Sequence, residues 1–386
     1  MANRIILNET SYHGAGSRAE IATEIKRRGF KKAFFVTDKD LIKFGVAAEI
    51  EKVLRDSDTS YEIFSELKAN PTVKNVQDGV DAFKKSGADF ILTLGGGSAI
   101  DTAKGIGIVA ANPEFYDVVS LEGTADTKNK SIPVIALPTT AGTAAEVTIN
   151  YVITDEKSKK KMVCVDPNDI PVVAIIDPEL MYSMPKGLTA ATGMDALTHA
   201  IESFITPGAW EMSDMFEYKA IELVHRHLKN AVENSKDKTA RESMALAQYV
   251  AGMGFSNVGL GIVHSMAHPL GAFYDTPHGV ANALLLPYIM EYNADSPAAP
   301  KYKDIAKAMG VEGTDKMSVE EGIKAAIDAV KKLSISIDIP QQLHEIGVKE
   351  EDIPELAVAA FNDVCTGGNP RPTSVKHIEE LYRKAF

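Results

Sequence analysis

Residues 88–98, ADFILTLGGGS, join a continuous apolar run to a glycine-rich turn. The apolar run Ala88–Leu94 predicts a strand buried on both faces, because a strand with one face in water would alternate apolar and polar residues. Helical patterns such as Val73–Ser86 separate this run from others of the same kind. The other runs are Lys32–Asp38 (KAFFVTD), Ile132–Leu137 (IPVIAL) and Val172–Asp177 (VVAIID). Buried strands that alternate with helices predict a parallel sheet covered on both faces.

The second half of the chain has a different pattern. After Pro185, the strand-like runs give way to helical spacing, and Pro178 and Pro185 punctuate the transition. The helical patterns lie at Ala190–Ile205, Glu211–Leu228, Ala240–Met253, Tyr302–Met309, Ser318–Leu333 and Ile353–Phe361. We therefore predict an α/β domain over residues 1–183 and an all-helical domain over residues 184–386.

Composition limits the classes of partner. A chain of 386 residues exceeds what one hydrophobic core usually serves, which supports two domains. The net charge of −12 disfavours nucleic acid and anionic membranes as partners. Two cysteines, Cys164 and Cys365, rule out a disulfide framework and fit a reducing compartment. With no signal peptide or apolar span evident, we expect a cytoplasmic protein that binds neither nucleic acid nor membrane.

Polar residues follow several of the predicted strands. Asp38 ends one strand, Gly95–Ser98 follow a second, and Thr139–Thr143 follow a third. Open parallel sheets bind ligands at this carboxyl edge, and glycines there let backbone amides approach a diphosphate. The turn has neither the GxGxxG fingerprint nor the GK[ST] of a P-loop, so each segment alone could be purely structural. The three together favour a dinucleotide site.

Asp38 has two interpretations. A carboxylate at this position can accept hydrogen bonds from a ribose diol and repel a 2′-phosphate, which favours NAD over NADP. An aspartate after a strand can also simply cap the next helix.

Histidine spacing in the second half predicts a metal site. Asp195 and His199 are four residues apart on a predicted helix and so share one face, as do His264 and His268. His278 follows in a predicted loop, Thr276–Gly279. Each pair alone could be an ion pair or a packed histidine, but together they favour a divalent-metal site. His264–His268 (HSMAH) lacks the glutamate of HExxH, which disfavours a peptidase; a metal beside a nicotinamide instead suggests alcohol oxidation.

Three blocks resemble a known family. They are Pro138–Asp155 (PTTAGTAAEVTINYVITD), Ala191–Glu202 (ATGMDALTHAIE) and Tyr249–Asn282 (YVAGMGFSNVGLGIVHSMAHPLGAFYDTPHGVAN). At these blocks, and nearly end to end, the chain resembles the iron-dependent (group III) alcohol dehydrogenases. The resemblance implies a dehydroquinate-synthase-like fold with the active site in the cleft between the domains. It also implies a homodimer in which N-terminal strands cross between the subunits. Arg4–Leu7 (RIIL) is compatible with a short paired strand.

The resemblance also implies roles for individual residues. Asp195, His199, His264 and His278 match the metal ligands, and His268 matches the imidazole near the nicotinamide that serves in proton transfer. The positions that match cofactor contacts are Asp38, Asn70, Gly96, Gly97, Ser98, Thr139, Thr140, Thr143, Lys161 and Leu180. The positions expected around the substrate are Asn150, Phe255 and Cys365.

The expected activity is an NAD-dependent interconversion of lactaldehyde and 1,2-propanediol, with Fe2+ as the metal. A zinc-dependent, glycerol-dehydrogenase-like enzyme and a broader primary alcohol dehydrogenase remain alternatives, because imidazole and carboxylate suit both metals. A lyase like dehydroquinate synthase would need basic residues for its substrate, and residues 249–282 contain no Lys or Arg. A non-catalytic metal-binding protein is the remaining alternative.

Overall fold

The computed structural model describes residues 2–158 and 160–386. The chain divides into two compact units. The first comprises Met1–Thr140 and Ala144–Ser183, and the second comprises Ala141–Thr143 and Met184–Phe386. The first is an α/β unit and the second is built from helices, as the sequence predicts.

The first unit contains a six-stranded sheet in the order β1-β8-β5-β4-β2-β3, with every neighbouring pair parallel. A separate antiparallel hairpin pairs β6 with β7. The strands are β1 (Thr10–His13), β2 (Lys32–Thr37), β3 (Ser60–Phe64), β4 (Phe90–Gly95), β5 (Val134–Pro138), β6 (Asn150–Asp155), β7 (Lys160–Val165) and β8 (Val173–Ile176). The helices are α1 (Glu20–Arg28), α2 (Lys39–Lys43), α3 (Val46–Asp56), α4 (Val73–Ser86) and α5 (Gly97–Ala111).

Both faces of this sheet are buried. Along β2, Phe34 and Val36 pack into a cluster that includes side chains of α4 and α5. Ala33 and Phe35 point to the opposite face, into a cluster with side chains of α1 and α3. Because alternate residues enter two different cores, the strand must be apolar throughout, and this explains the continuous run.

The two edge strands, β1 and β3, are not among the strands predicted from the sequence. β1 (TSYH) and β3 (SYEIF) are only partly buried, so they carry no continuous apolar run. Within this chain Arg4–Leu7 forms no strand, and the first strand begins at Thr10 and pairs with β8. Pairing of Arg4–Leu7 with a second subunit stays a prediction.

Among its described residues, the second unit has helices and no strands. Its helices are α6 (Lys186–Ile205), α7 (Glu211–Glu233), α8 (Lys238–Val258), α9 (Ile262–Tyr274), α10 (His278–Asn293), α11 (Tyr302–Ala308), α12 (Val319–Ser336), α13 (Ile353–Phe361) and α14 (Val375–Ala385). The sequence predicts His278 in a loop, but it is the first residue of α10, with Pro277 at the N-cap.

Within residues 2–158 and 160–386, no single helix is long and apolar enough to cross a membrane. Helices α8 and α9, which are bent by 104° at the break between them, reach that length and apolar composition only when taken together.

Candidate metal centre and cofactor-binding edge

Helix α6 carries the first two predicted ligands at the centre of the helical unit. Asp195 is 2% exposed and His199 is 5% exposed, so neither is the surface ion pair that their spacing alone allowed. Nearly every side chain from Thr189 to Ile205 is buried. The helix is therefore enclosed by its neighbours, and its polar stripe must find partners inside the protein.

Helices α9 and α10 bring the other two ligands to α6. His264 lies in the first turn of α9, and His278 begins α10. A Cβ atom at Gly279 would lie 2.3 Å from the carbonyl oxygen of Ala191 on α6. Only glycine therefore permits this approach of α10 to α6, which places His278 beside Asp195.

The four predicted ligands converge. One ligand atom from each of Asp195, His199, His264 and His278 lies within 4.8 Å of the others. The ring centroids of His199 and His264 are 4.5 Å apart, and those of His264 and His278 are 5.3 Å apart. The structure thus brings together all four residues that the sequence analysis selected.

Asn282, one turn after His278 on α10, shows where the ligand atoms point. Its amide nitrogen Nδ2 lies 2.7 Å from Oδ1 of Asp195 and 3.1 Å from Nε2 of both His264 and His278. Oδ1 of Asp195 and Nε2 of His264 and of His278 are therefore directed toward the same position. This set of one carboxylate and three imidazoles fits a divalent iron or zinc ion.

The protonation state of the buried imidazoles also suits a cation. Burial lowers the pKa of His199, and burial together with the neighbouring imidazoles lowers the pKa of His264 well below its usual value. Both rings are therefore neutral near pH 7, and only a neutral imidazole offers a lone pair to a metal.

Glu202 contacts Nδ1 of His264 and the backbone beside it. Its Oε2 lies 2.5 Å from Nδ1 of His264, and its Oε1 accepts a hydrogen bond from the backbone N–H of Val263 at 2.7 Å. Burial raises the pKa of Glu202 to about 8, although nearby backbone N–H groups partly offset this effect. A cation bound at His264 would favour the ionised carboxylate.

His268 belongs to a different cluster despite its spacing from His264. Its Nδ1 lies 2.7 Å from Oδ2 of Asp363, and Oδ1 of Asp363 accepts from the backbone N–H of Cys365 at 2.9 Å. Burial acts to raise the pKa of Asp363, but His268 and hydrogen bonds outweigh it and leave that pKa lowered. The His268 ring stacks on His278 with centroids 5.4 Å apart, so it borders the four ligands without joining them.

The expected substrate residues lie in both units. Phe255 stacks on His199 with ring centroids 4.2 Å apart, and Cys365 lies beside His268 and Asp363. Burial raises the pKa of the Cys365 thiol well above its usual value. Asn150 begins β6 in the first unit, where its carbonyl oxygen accepts a hydrogen bond from Nζ of Lys104.

The glycine and threonine turns are adjacent at the carboxyl edge of the sheet. Gly95 pairs with Pro138, and the N–H of Thr139 donates to the carbonyl oxygen of Gly95 at 2.9 Å. A Cβ atom at Gly96 would lie 3.3 Å from the side chain of Thr140. Gly97 begins α5, so the turn places a helix N-terminus at this edge, where a diphosphate is favoured.

The other predicted cofactor residues lie in several parts of the structure. The hydroxyl of Ser98 donates to the carbonyl oxygen of Ala69, which holds the Asn70 loop against α5. Lys161 pairs with Thr154 across the hairpin, and the N–H of Thr154 donates to Pro71 at 2.7 Å. Leu180 is buried in the core beneath the sheet, and Thr143 groups with the helical unit.

Comparison with known proteins gives the family. The family model described as iron-containing alcohol dehydrogenase matches residues 8–178, and its C-terminal counterpart matches residues 189–386. The chain belongs to the iron-containing alcohol dehydrogenase family. It is 55% identical to lactaldehyde reductase of Escherichia coli K12 over 386 residues, which is 100% of both chains. It is 41% identical to NAD-dependent methanol dehydrogenase of Bacillus methanolicus, covering 97% of both chains.

A solved structure of 1,3-propanediol oxidoreductase has the same fold. It superimposes with a TM-score of 0.96 at 41% identity and covers 100% of both chains. The parallel-sheet unit followed by the helical unit is therefore the fold of iron-containing alcohol dehydrogenases.

Three polar residues of this family member escaped the sequence analysis. Glu202 lies seven residues after Asp195 and three after His199, so its spacing places it on the ligand stripe of α6. Asn282 lies four residues after His278, and that spacing would also have signalled it. Asp363 carries no such signal, because it reaches His268 across 95 residues of chain.

Asp38 performs the capping role that the sequence left open. Its Oδ1 accepts a hydrogen bond from the backbone N–H of Leu41 at 2.8 Å and caps α2. This bond uses one carboxylate oxygen, so a cap and a ribose contact are compatible. Selection of NAD by Asp38 stays a prediction.

We expect Asp38→Asn to increase kcat/KM for NADP relative to NAD by roughly fivefold, since about 1 kcal/mol of charge repulsion is removed. Asparagine keeps an oxygen for the cap, so stability should change little. Steady-state kinetics with both cofactors measures the ratio, and Asp40→Asn, at an exposed position on the same helix, is the control. An unchanged ratio would leave Asp38 with the capping role alone.

Proposed function

We propose that this protein is an NAD-dependent, metal-requiring lactaldehyde reductase that interconverts lactaldehyde and 1,2-propanediol, with reduction as the main physiological direction. The end-to-end similarity to lactaldehyde reductase carries the substrate assignment. The convergence of Asp195, His199, His264 and His278 supports the requirement for a metal.

The four converging residues would hold a divalent cation, for which we propose Fe2+, with Zn2+ as the alternative. When bound, the cation supplies a Lewis acid for the substrate oxygen. The chain contributes the geometry: α6 provides two ligands on one face, and α9 and α10 each provide one from their first turn.

The carboxyl edge of the sheet would hold NAD, which carries the hydride. The diphosphate would lie at the turn of Gly96, Gly97 and Ser98, where the N-terminus of α5 favours negative charge. We propose Asp38 for the ribose diol. The remaining proposed cofactor contacts are Asn70, Thr139, Thr140, Thr143, Lys161 and Leu180.

We propose His268 as the residue that exchanges a proton with the substrate oxygen. Asp363 accepts only, so the proton of the bond between them lies on Nδ1 of His268. Nε2 is then the nitrogen that gives up a proton during reduction and takes one during oxidation. Phe255 and Cys365, which lie beside His199 and His268, are proposed to bound the substrate, as is Asn150.

We further propose that the enzyme is a cytoplasmic homodimer and that its functional domains are residues 1–183 and 184–386. Size-exclusion chromatography with light scattering measures the assembly. A monomer at working concentration would contradict it.

A kinetic panel tests the proposed function. Protein purified without oxygen and reconstituted separately with Fe2+ and Zn2+ should oxidise NADH in the presence of lactaldehyde, with Fe2+ as the better ion. In the direction of alcohol oxidation with NAD, its kcat/KM for 1,2-propanediol should exceed its kcat/KM for glycerol, ethanol and butanol. A preference for glycerol with zinc would favour the glycerol-dehydrogenase-like alternative. No NADH oxidation with any metal would favour a non-catalytic metal-binding protein.

A further inference from the structure

Glu202 occupies an unusual position for a buried carboxylate. It is 2% exposed and lies on α6, on the same helical stripe as Asp195 and His199. It makes no ion pair with Lys or Arg among the described residues. Instead it contacts three donors in the first turn of α9, which are Nδ1 and N–H of His264 and the N–H of Val263.

We propose that Glu202 is a positioning residue that fixes the ring of His264 and thereby sets the affinity of the metal centre. This inference rests on the proposed function, because it assigns a role toward the metal proposed there. It adds a residue outside the four ligands on which cation binding depends.

The hydrogen bond to Glu202 selects the tautomer of His264. When Glu202 is ionised, as a cation bound at His264 would favour, its carboxylate only accepts, so Nδ1 of His264 carries the proton and Nε2 carries the lone pair. Nε2 is also the nitrogen that faces the ligand cluster, since it lies 3.1 Å from Nδ2 of Asn282. A carboxylate on the far nitrogen of an imidazole ligand orients the ring and strengthens its lone pair as a donor.

Glu202 also links α9, which carries His264, to α6, which carries Asp195 and His199. Its carboxylate accepts backbone N–H groups at the N-terminus of α9, where a negative charge is stabilised by the helix dipole. Gly261 makes room for this contact, since a Cβ atom there would lie 2.9 Å from Oε1 of Glu202. The same side chain thus sets both the position of the helix and the orientation of the ring.

Titration of the metal-free protein with Co2+ tests this role without measuring activity. We expect Glu202→Gln to weaken Co2+ binding about 10- to 100-fold, and the visible d–d absorption of the complex to shift. Glutamine matches the shape of glutamate but carries no charge. Glu217→Gln is the control, because Glu217 on α7 is equally buried and makes no hydrogen bond to the four ligands among the described residues.

A second variant covers the case in which Glu202→Gln does not fold. Gly261→Ala leaves the carboxylate in place but crowds it, and it should weaken Co2+ binding in the same direction. Wild-type affinity and spectrum in the folded variants would overturn the role of Glu202 while leaving the metal centre intact. Failure of the wild-type protein to bind Co2+ would instead contradict the proposed metal centre, and this inference with it.

Discussion

Replacement of His264 by alanine is expected to abolish metal binding and to lower kcat/KM at least about a thousandfold. The expected size follows from the loss of a Lewis acid worth several kcal/mol at the substrate oxygen. His264 is 2% exposed and its ring lies 4.5 Å from that of His199 and 5.3 Å from that of His278, so its removal takes one nitrogen from a buried cluster. The measurements are metal content after anaerobic reconstitution and steady-state kinetics with NADH and lactaldehyde.

The control for this substitution is His227→Ala, which removes a histidine of α7 outside the cluster. It should keep full metal content and activity. A His264→Ala protein that retained one metal ion per chain would remove His264 from the ligand set.

His268→Ala is expected to give the second largest effect, a fall in kcat of about 100- to 10,000-fold with unchanged metal content. This is the range of a general acid or base. His268 lies one turn after His264 on α9, yet its Nδ1 is bound to Asp363 and its ring lies outside the four-ligand cluster. The two substitutions on one helix should therefore differ sharply in metal content.

The Asp363→Asn variant distinguishes proton transfer by His268 from a role of His268 in packing alone. Asparagine offers one acceptor oxygen where Asp363 accepts from both Nδ1 of His268 and the N–H of Cys365, and the negative charge that stabilises the protonated ring is lost. We expect kcat to fall by a smaller factor than in His268→Ala, with KM nearly unchanged. If His268→Ala lost its metal, His268 would be a ligand. If kcat of His268→Ala were unchanged, His268 would be excluded from proton transfer.

The strands at the centre of the sheet were predictable because burial on both faces leaves a continuous apolar run. For this reason β2 and β4 begin and end within two residues of the predicted segments. The edge strands β1 and β3 were not predictable, since one side of each lacks a neighbouring strand and their residues are mixed. Thr10–His13 pairs with β8, and its four partly buried or exposed residues are too short and too mixed a run to predict a strand.

The metal centre was predictable where it depends on one helix. Asp195 and His199 share a face by spacing alone, and they are both buried in the structure. The pair His264 and His268 has the same spacing, but spacing alone could not tell a ligand from a proton carrier. The difference comes from the far nitrogen of each ring: Nε2 of His264 lies 3.1 Å from Nδ2 of Asn282, within the four-residue cluster, whereas His268 groups with Asp363 and Cys365.

By itself, the sequence determined the features that depend on residues close together in the chain. These are the apolar strands, the polar residues at their carboxyl ends and the four-residue spacing of the histidines, which persist in any fold that keeps those helices and strands. The tertiary structure decided which polar atoms meet across 62 and 95 residues, as Glu202 meets His264 and Asp363 meets His268. Such contacts depend on how closely helices pack, and at Gly279 a single Cβ atom would separate α10 from α6. The roles that we propose for His264 and His268 therefore depend on packing.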